Sequence, residues 1–207
     1  MAPSPFRLLV LGDSIAYGTG ASRSEDTIGR RLATELTADG FDVDLHVLAV
    51  PGAVSADLAA QVRRAVPLEP DLALVVIGAN DLARFVPAPQ ATAALGAAVT
   101  ALRATGSDVV VVPAPDMSMV PFVPPGLRPL VRGACAVLQQ SQTRVAGAGG
   151  ATVAPVVADL AAAFVADPAL FSADRFHPSS AGYARISRAL APYVLEVARA
   201  RRDEAAA

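Results

Sequence analysis

Short apolar runs alternate with longer segments of helical periodicity along this chain. The apolar runs cover residues 8–12, 41–50, 71–80, 107–115 and 151–157. The second run alternates apolar and polar positions with a period of two, as a strand with one buried face does. The third and fourth runs are apolar on both faces, which is typical of strands buried inside a parallel sheet.

The segments between these runs predict helices. Ile28, Leu32 and Leu36 are spaced to share one helical face, and Gly40 follows them as a natural C-terminal cap. Helices are predicted at residues 27–38, 55–66, 89–104, 126–146 and 178–202. Strands that alternate with helices indicate an α/β fold, in which a parallel sheet carries helices on both faces.

The pattern contains no internal repeat and no linker that would divide the chain. We therefore expect a single domain over residues 1–207, in which residues 201–207 form a frayed end. The first apolar run is too short for the core of a signal peptide, and no segment approaches the ~20 apolar residues of a membrane span. These features predict a soluble, cytoplasmic protein.

Polar residues or glycines follow three of the predicted strands. Ser14 comes after the first strand, Gly52 after the second and Asn80 after the third. In a parallel sheet, ligands bind at the carboxyl ends of the strands, so these positions are candidates for a site. A serine after a strand is also an ordinary turn former or helix cap. The rest of the chain has to decide between these two interpretations of Ser14.

Composition narrows the classes of function. Of the 207 residues, 53% are hydrophobic and 17% are charged, and a net charge of -2 leaves no basic surface for nucleic acid. All 17 basic residues are arginine. The chain therefore lacks the lysine that a Walker-type phosphate loop or a Schiff base requires. One cysteine precludes an internal disulfide, and with only two histidines it argues against a zinc site.

The residues around His177 suggest a chemical role for Ser14. A serine becomes a nucleophile when an imidazole accepts its proton and a carboxylate orients that imidazole. His46 lies within a predicted strand, which leaves His177 as the candidate base. Asp174 precedes His177 by three residues, and a turn brings such residues together. The alternative is that Asp174 caps a turn and His177 is a surface residue.

Ester cleavage also needs hydrogen-bond donors for the oxyanion that forms during the reaction. The backbone N–H of Ser14, at the start of a helix, is one candidate. Gly52 offers a second N–H that a substrate can approach closely, and Asn80 offers its side-chain amide. An Asx turn that leaves the strand is the alternative role for Asn80.

Four short blocks occur in a fixed order, each after a predicted strand: Gly12-Asp13-Ser14, Gly52, Gly78-x-Asn80-Asp81 and Asp174-x-x-His177. This set resembles the SGNH hydrolases, also called the GDSL esterase and lipase family, over nearly the whole chain. Ile15 stands where the GDSL signature has leucine, which is a conservative change. The block around Gly52 is the loosest match.

The resemblance implies a flavodoxin-like fold, a three-layer α/β/α sandwich with a five-stranded parallel sheet. It also implies a carboxylesterase that needs neither metal nor cofactor. Ser14 would be the nucleophile, His177 the base and Asp174 the residue that orients it, while Ser14, Gly52 and Asn80 would form the oxyanion hole. The supporting residues would be Asp13, Gly78 and Asp81.

Apolar residues near these positions suggest how an acyl group is bound. The loop at 113–127 is rich in proline and contains two methionines, which suit an adaptable apolar surface. It either rims the site as an acyl groove, packs on its own domain or forms a dimer contact. The candidate substrate contacts are Leu82, Phe85, Met117, Met119, Phe122 and Phe176.

Three functions are compatible with these residues, and each of them involves a small molecule as substrate or ligand. The first is hydrolysis of a small to medium acyl ester through an acyl-enzyme. The second is an acyltransferase, in which a sugar or another alcohol replaces water. The third is a noncatalytic ligand-binding domain on the same fold. The joint presence of Ser14, Asn80, Asp174 and His177 argues against the third.

Overall fold

The structure, a computed structural model, describes residues 4–206. Its strands are β1 (Phe6–Gly12), β2 (Val43–Val47), β3 (Leu72–Val76), β4 (Asp108–Val112) and β5 (Thr152–Val153). They form one parallel sheet in the order β2-β1-β3-β4-β5. The strand order reverses between β1 and β3, and this is where ligands bind in open parallel sheets.

Eight α-helices connect and cover the strands in the described part of the chain. They are α1 (Ser14–Tyr17), α2 (Ile28–Ala38), α3 (Leu58–Ala65), α4 (Ala79–Ala83), α5 (Ala88–Arg103), α6 (Arg128–Ala148), α7 (Val157–Ala166) and α8 (Ser180–Ala206). None of the helices in residues 4–206 combines the length and the apolar character that crossing a membrane requires.

The sheet is buried on both faces because successive residues of each strand point to opposite sides. Leu8 and Val10 of β1 belong to a core shared with α2, α7 and α8. Leu9 and Leu11 belong to a second core shared with α3, α5 and the end of α6. The two cores make the three-layer α/β/α sandwich, and the predicted fold with its five-stranded parallel sheet is confirmed.

Two helices were not predicted from the sequence, the short α4 and the longer α7. The apolar run at 151–157 forms only the two-residue strand β5, and the chain then enters α7, which the periodicity did not indicate. Most residues of α7 are alanine or valine, so it has no polar face that would contrast with its apolar one. This helix contributes one wall of the cavity described below.

The sequence predicts a frayed end at residues 201–207, whereas the described part of this segment is helical. The helix α8 continues to Ala206. Arg201 explains this, because its guanidinium pairs with Asp71 at 3.0 Å and with Asp108 at 3.3 Å and donates to the Gly106 carbonyl. The last helix is thereby fixed to the amino ends of β3 and β4. Ala207 lies outside the described residues.

Candidate active site

Ser14 lies directly beyond the carboxyl end of β1, where the chain turns sharply into α1. Gly12 has φ +136°, and a Cβ there would lie 1.8 Å from the carbonyl oxygen of Val76, so only glycine fits. Asp13 caps the new helix by accepting a hydrogen bond from the Ile15 N–H at 2.9 Å. Ser14 therefore starts α1 as a buried residue at the edge of the sheet.

The backbone of this turn is held by a glutamine from α3. The Gly12 N–H donates to Oε1 of Gln61 at 2.7 Å, and Nε2 of Gln61 donates to the Gly12 carbonyl at 2.8 Å. Gln61 is buried, so both bonds are shielded from water. The sequence gives no sign of this contact, because the two residues are 49 positions apart.

The imidazole of His177 reaches Ser14 from the loop that precedes α8. Its Nε2 lies 3.0 Å from Oγ of Ser14, and its Nδ1 lies 2.6 Å from Oδ2 of Asp174. The three predicted residues are thus brought into one chain of hydrogen bonds. This is the arrangement in which a histidine can accept a proton from a serine while a carboxylate stabilises the resulting imidazolium.

Asp174 also shapes the loop that carries His177. Its Oδ1 accepts hydrogen bonds from Oγ of Ser172 at 2.7 Å and from the N–H groups of Phe176 and His177, both at 2.9 Å. Partial desolvation acts to raise the pKa of Asp174, but these bonds and the one from His177 outweigh it and lower the pKa well below its usual value. The carboxylate therefore stays ionised at neutral pH.

The loops of Ser14 and His177 pack directly against each other. A Cβ on Gly20 would lie 2.5 Å from the Pro178 carbonyl oxygen and 3.0 Å from Cβ of His177, so the approach requires a glycine. The hydroxyl of Tyr183 in α8 donates to the Thr19 carbonyl at 2.8 Å. These contacts join the first strand-end turn to the start of the last helix.

Gly52 and Asn80 lie on neighbouring turns at the same edge of the sheet. Gly52 has φ +82°, and no acceptor is paired with its N–H among residues 4–206. Nδ2 of Asn80 donates to the Ala53 carbonyl at 3.0 Å, which uses one amide hydrogen and leaves the second for another acceptor. Both turns can therefore present a donor to a ligand beside Ser14.

The predicted supporting residues connect these turns. Asp81 is buried and accepts hydrogen bonds from the N–H of Ser55 at 3.0 Å and from its hydroxyl at 3.0 Å. Desolvation raises the pKa of Asp81, while its bonds with Ser55 oppose that shift. Gly78 has φ +131°, and a Cβ there would lie 2.6 Å from Cβ of Ala114. A second buried glutamine, Gln142, bridges the ends of β3 and β4.

Asp13 is the other buried carboxylate of the site. Burial raises its pKa from 3.8 to about 6, and the negative charge of Asp81 adds to the effect. Hydrogen bonds from the backbone of Ile15, Gly78 and Ala79 oppose it. Through these bonds Asp13 connects the Ser14 turn with the turn that carries Asn80.

An apolar cavity opens at Ser14 and His177. Of the predicted substrate contacts, Met117, Met119 and Phe176 line it. Phe122 stacks on Phe176, with ring centroids 5.7 Å apart, and is largely exposed. The loop at 113–127 therefore borders the cavity, and it also packs on the domain, because the Met117 N–H donates to Sγ of Cys135 in α6 at 3.3 Å.

Two of the predicted contacts lie elsewhere. Leu82 packs with Ala91, Ala114 and Leu138 in a small cluster beside α5 and α6, because α4 turns that face away from the cavity. Phe85 has a left-handed backbone with φ +55°, and 90% of its surface is exposed. Both were predicted because they follow Asn80 closely in the sequence; Leu82 lies within α4, and Phe85 lies beyond its end at Ala83.

Known proteins resemble this chain in sequence and in fold. The model of the GDSL-like Lipase/Acylhydrolase family matches residues 10–185. The GDSL-like esterase Rv1075c of Mycobacterium tuberculosis is 35% identical over 186 residues, which cover 88% of this chain and 59% of that protein. This chain thus spans less than two thirds of the length of that relative.

Two solved structures illustrate the likeness of the fold. The crystal structure of TesA has a TM-score of 0.78 at 21% identity, and the match covers 92% of this chain and 99% of that one. The acetylxylan esterase Axe2 from Geobacillus stearothermophilus has a TM-score of 0.74 at 20% identity and coverages of 92% and 94%.

Proposed function

The chain belongs to the GDSL-like lipase/acylhydrolase family, and from that premise we propose that it is a serine-dependent carboxylic ester hydrolase acting on a small to medium acyl ester. The observation that carries the proposal is the hydrogen-bonded chain Ser14–His177–Asp174, with distances of 3.0 and 2.6 Å, at the opening of an apolar cavity. The apolar cavity can hold an acyl group, and the three hydrogen-bonded side chains can form an acyl-enzyme.

The first half of the reaction forms the acyl-enzyme. Oγ of Ser14 attacks the carbonyl carbon of the ester while Nε2 of His177 accepts the hydroxyl proton. Asp174, which stays ionised, stabilises the imidazolium through Nδ1. The negative charge on the carbonyl oxygen is met by the N–H groups of Ser14 and Gly52 and by the amide of Asn80. The intermediate then collapses, and the alcohol leaves with the proton held by His177.

The second half releases the acid. A water molecule gives a proton to Nε2 of His177 and attacks the acyl carbon, and the same three donors stabilise the second oxyanion. Collapse of this intermediate restores Ser14 and expels the carboxylic acid. The side chains of His177 and Asp174 are 18% and 47% exposed, so water can approach the base from solvent. This access supplies the water that hydrolysis requires.

A labelling experiment tests the proposal. A fluorophosphonate forms a phosphonate ester with an activated serine and loses fluoride. Mass spectrometry then identifies the peptide that carries the phosphonate. We expect Ser14 to be labelled in the wild-type protein. Ser14→Ala should lose the label and reduce p-nitrophenyl ester hydrolysis on the order of 10,000-fold or more, with an unchanged thermal transition.

A surface serine provides the control. Ser24→Ala alters an exposed hydroxyl in the turn before α2 and should keep both labelling and hydrolysis. An unlabelled wild-type protein that cleaves no ester would leave the noncatalytic binding domain as the better interpretation. Greater transfer than hydrolysis when sugars or other alcohols are added would favour the acyltransferase.

A further inference from the structure

The cavity beside Ser14 extends inward rather than along the surface. Its volume is about 70 Å³, and it runs between the sheet, α7 and α8. The only side chains with ionisable or hydroxyl groups in its lining are Ser14, Asp116 and His177. Its inner walls include Val76, Val112, Phe171, Ile186 and Leu190, which are all buried or half-buried apolar residues. A space of this kind takes hydrocarbon and excludes polar groups.

The helix α7 supplies the wall that separates this cavity from solvent. Val157, Leu160, Ala161 and Phe164 face the cavity at the spacing of one helical face. Ala158, Asp159, Ala162 and Val165 lie on the opposite, exposed face. The apolar side of α7 therefore packs only partly against protein and borders a space that a ligand can fill.

We propose that the acyl chain of the substrate enters this internal cavity under α7, and that the cavity limits the chain to about six carbons. The inference rests on the proposed esterase function and deepens it. The competing route would lay the chain along the outer face of the loop at 113–127, past the exposed ring of Phe122. Only the inward route keeps the hydrocarbon out of water along its length.

Geometry assigns the cavity to the acyl group and not to the alcohol. Gly52 and Asn80 are not part of its lining, whereas Ser14 is. The alcohol must leave and water must enter between the two half-reactions, which requires the open side of the site. The acyl group stays bonded to Ser14 between the two half-reactions, so it can remain in the cavity while the alcohol leaves and water enters.

The volume sets the chain length. A cavity needs roughly 10–15 Å³ on this scale to hold one water-sized group, so 70 Å³ accommodates about five such groups. A methylene is close to that size, so about five of them and the carbonyl carbon place the limit at acyl chains of about six carbons. Each methylene buried on the way to the transition state should raise kcat/KM about fourfold, and further carbons should lower it.

Two alanines of α7 provide a matched pair of variants. Ala161 faces the cavity, and the adjacent Ala162 is exposed. Ala161→Phe fills the cavity, whereas Ala162→Phe adds the same ring to the surface of the same helix. The measurement is the ratio of kcat/KM for p-nitrophenyl hexanoate to that for p-nitrophenyl acetate, in which the alcohol is constant. We expect this ratio to fall at least about tenfold in Ala161→Phe and to be unchanged in Ala162→Phe.

A variant with an enlarged cavity should shift the preferred acyl length in the opposite direction. It also tests the inference if Ala161→Phe does not fold. Leu160→Ala should move the preferred chain from about six carbons towards eight. A series of alcohols on one acetyl group tests the reverse assignment. If Ala161→Phe or Leu160→Ala changes the preference for alcohol length and not for acyl length, the cavity holds the alcohol and the inference is wrong.

Labelling of Ser14 separates a failure of this inference from a failure of the proposed function. If Ser14 reacts with the fluorophosphonate and esters are cleaved, but neither variant moves the acyl preference, the acyl chain binds outside the cavity and only this inference fails. If Ser14 is unreactive and no ester of any length is cleaved, the esterase function fails and the assignment of the cavity fails with it.

Discussion

The turn that carries Ser14 and the loop that carries His177 are held in place by different means. The backbone of the Ser14 turn is fixed by the sheet and by two buried side chains, Gln61 from a distant helix and Asp13 within the turn. The His177 loop is half-exposed and is organised by Asp174, a single carboxylate within the same six-residue stretch. The first is a long-range assembly and the second is a local one.

The aspartates of the two regions have opposite electrostatic environments. Asp13 is buried, and burial raises its pKa to about 6 although three backbone N–H groups oppose the shift. Asp174 is partly exposed and accepts four hydrogen bonds from its own loop, which lower its pKa. Ionised Asp13 therefore costs folding free energy, whereas ionised Asp174 contributes to it. A carboxylate close to Ser14 can thus be held mainly by packing, as Asp13 is, or mainly by hydrogen bonds to its charge, as Asp174 is.

After the loss of Ser14 itself, removing the charge of Asp174 should have the largest effect on activity. Asp174→Asn keeps the size of the side chain but no longer stabilises the imidazolium of His177, so we expect kcat to fall by about 10,000-fold. The Ser14 turn does not depend on Asp174 and should keep its structure. Stopped-flow or steady-state hydrolysis of p-nitrophenyl acetate measures the loss, and circular dichroism monitors the fold.

Asp167 offers a matched control for this substitution. It caps the short turn before the His177 loop by accepting from the Ala169 N–H at 3.0 Å, and it does not contact His177. Asp167→Asn should leave kcat within about twofold. Near-wild-type turnover in Asp174→Asn would show that the carboxylate only shapes the loop.

Removing the long-range contact between Gln61 and the backbone of Gly12 should reduce stability more than catalysis. Gln61→Leu leaves the buried Gly12 N–H without its acceptor, which should lower the free energy of unfolding by about 2–4 kcal/mol. The Gly12 carbonyl keeps a second donor, the Val50 N–H at 3.1 Å, so the turn should survive in the folded protein. We expect kcat of the folded fraction to fall only about tenfold. Urea unfolding and active-site titration with a fluorophosphonate measure the two effects separately.

The exposed Gln140 of α6 serves as the comparison for this variant. Gln140→Leu removes an amide of the same size from the surface and should change stability by less than about 0.5 kcal/mol. An unfolding midpoint of Gln61→Leu equal to that of wild type would mean that the sheet alone holds the Ser14 turn.

The two regions also differ in how far the sequence predicts them. The pair Asp174 and His177 is three residues apart, so local geometry predicts their contact, although their catalytic roles stay a prediction. Gln61 could not be found this way, because its partner Gly12 is 49 positions away and glutamine in a helix carries no signal of its own. The same holds for Arg201, whose long-range ion pairs extend the last helix.

The strands and most helices follow from periodicity, but the helix that borders the cavity does not. The residues of α7 are apolar on the inner face and mostly small or apolar on the outer face, so no alternation marks the element. Leu82 and Phe85 were predicted to contact substrate, but neither lines the cavity. Their proximity to Asn80 in the sequence does not determine which way the side chains of a short helix point. Sequence patterns predict layers well and cavity walls poorly, since a wall depends on packing between elements that are distant in the chain.

The prediction for Asp13 concerns the pH dependence of stability and not activity. Asp13→Asn keeps an oxygen that can accept from the Ile15 N–H but removes the ionisable group. The folded protein holds a proton on Asp13 up to a pKa of about 6, whereas the unfolded chain releases it near 3.8, so the wild-type contribution of this residue declines as pH rises between those values. The variant should therefore gain stability relative to wild type by about 2–3 kcal/mol between pH 4 and pH 7.

Asp174 also affects the pH dependence of stability, in the opposite direction to Asp13. Because its pKa is lowered, the wild-type protein loses stability as pH falls below about 4. That loss is common to wild type and Asp13→Asn, so it cancels in the difference between their urea-unfolding free energies at each pH. A difference that rises with pH would confirm that the Ser14 turn holds a destabilised carboxylate. A difference that is flat from pH 4 to pH 7 would show that the backbone donors of Ile15, Gly78 and Ala79 compensate the burial of Asp13 in full.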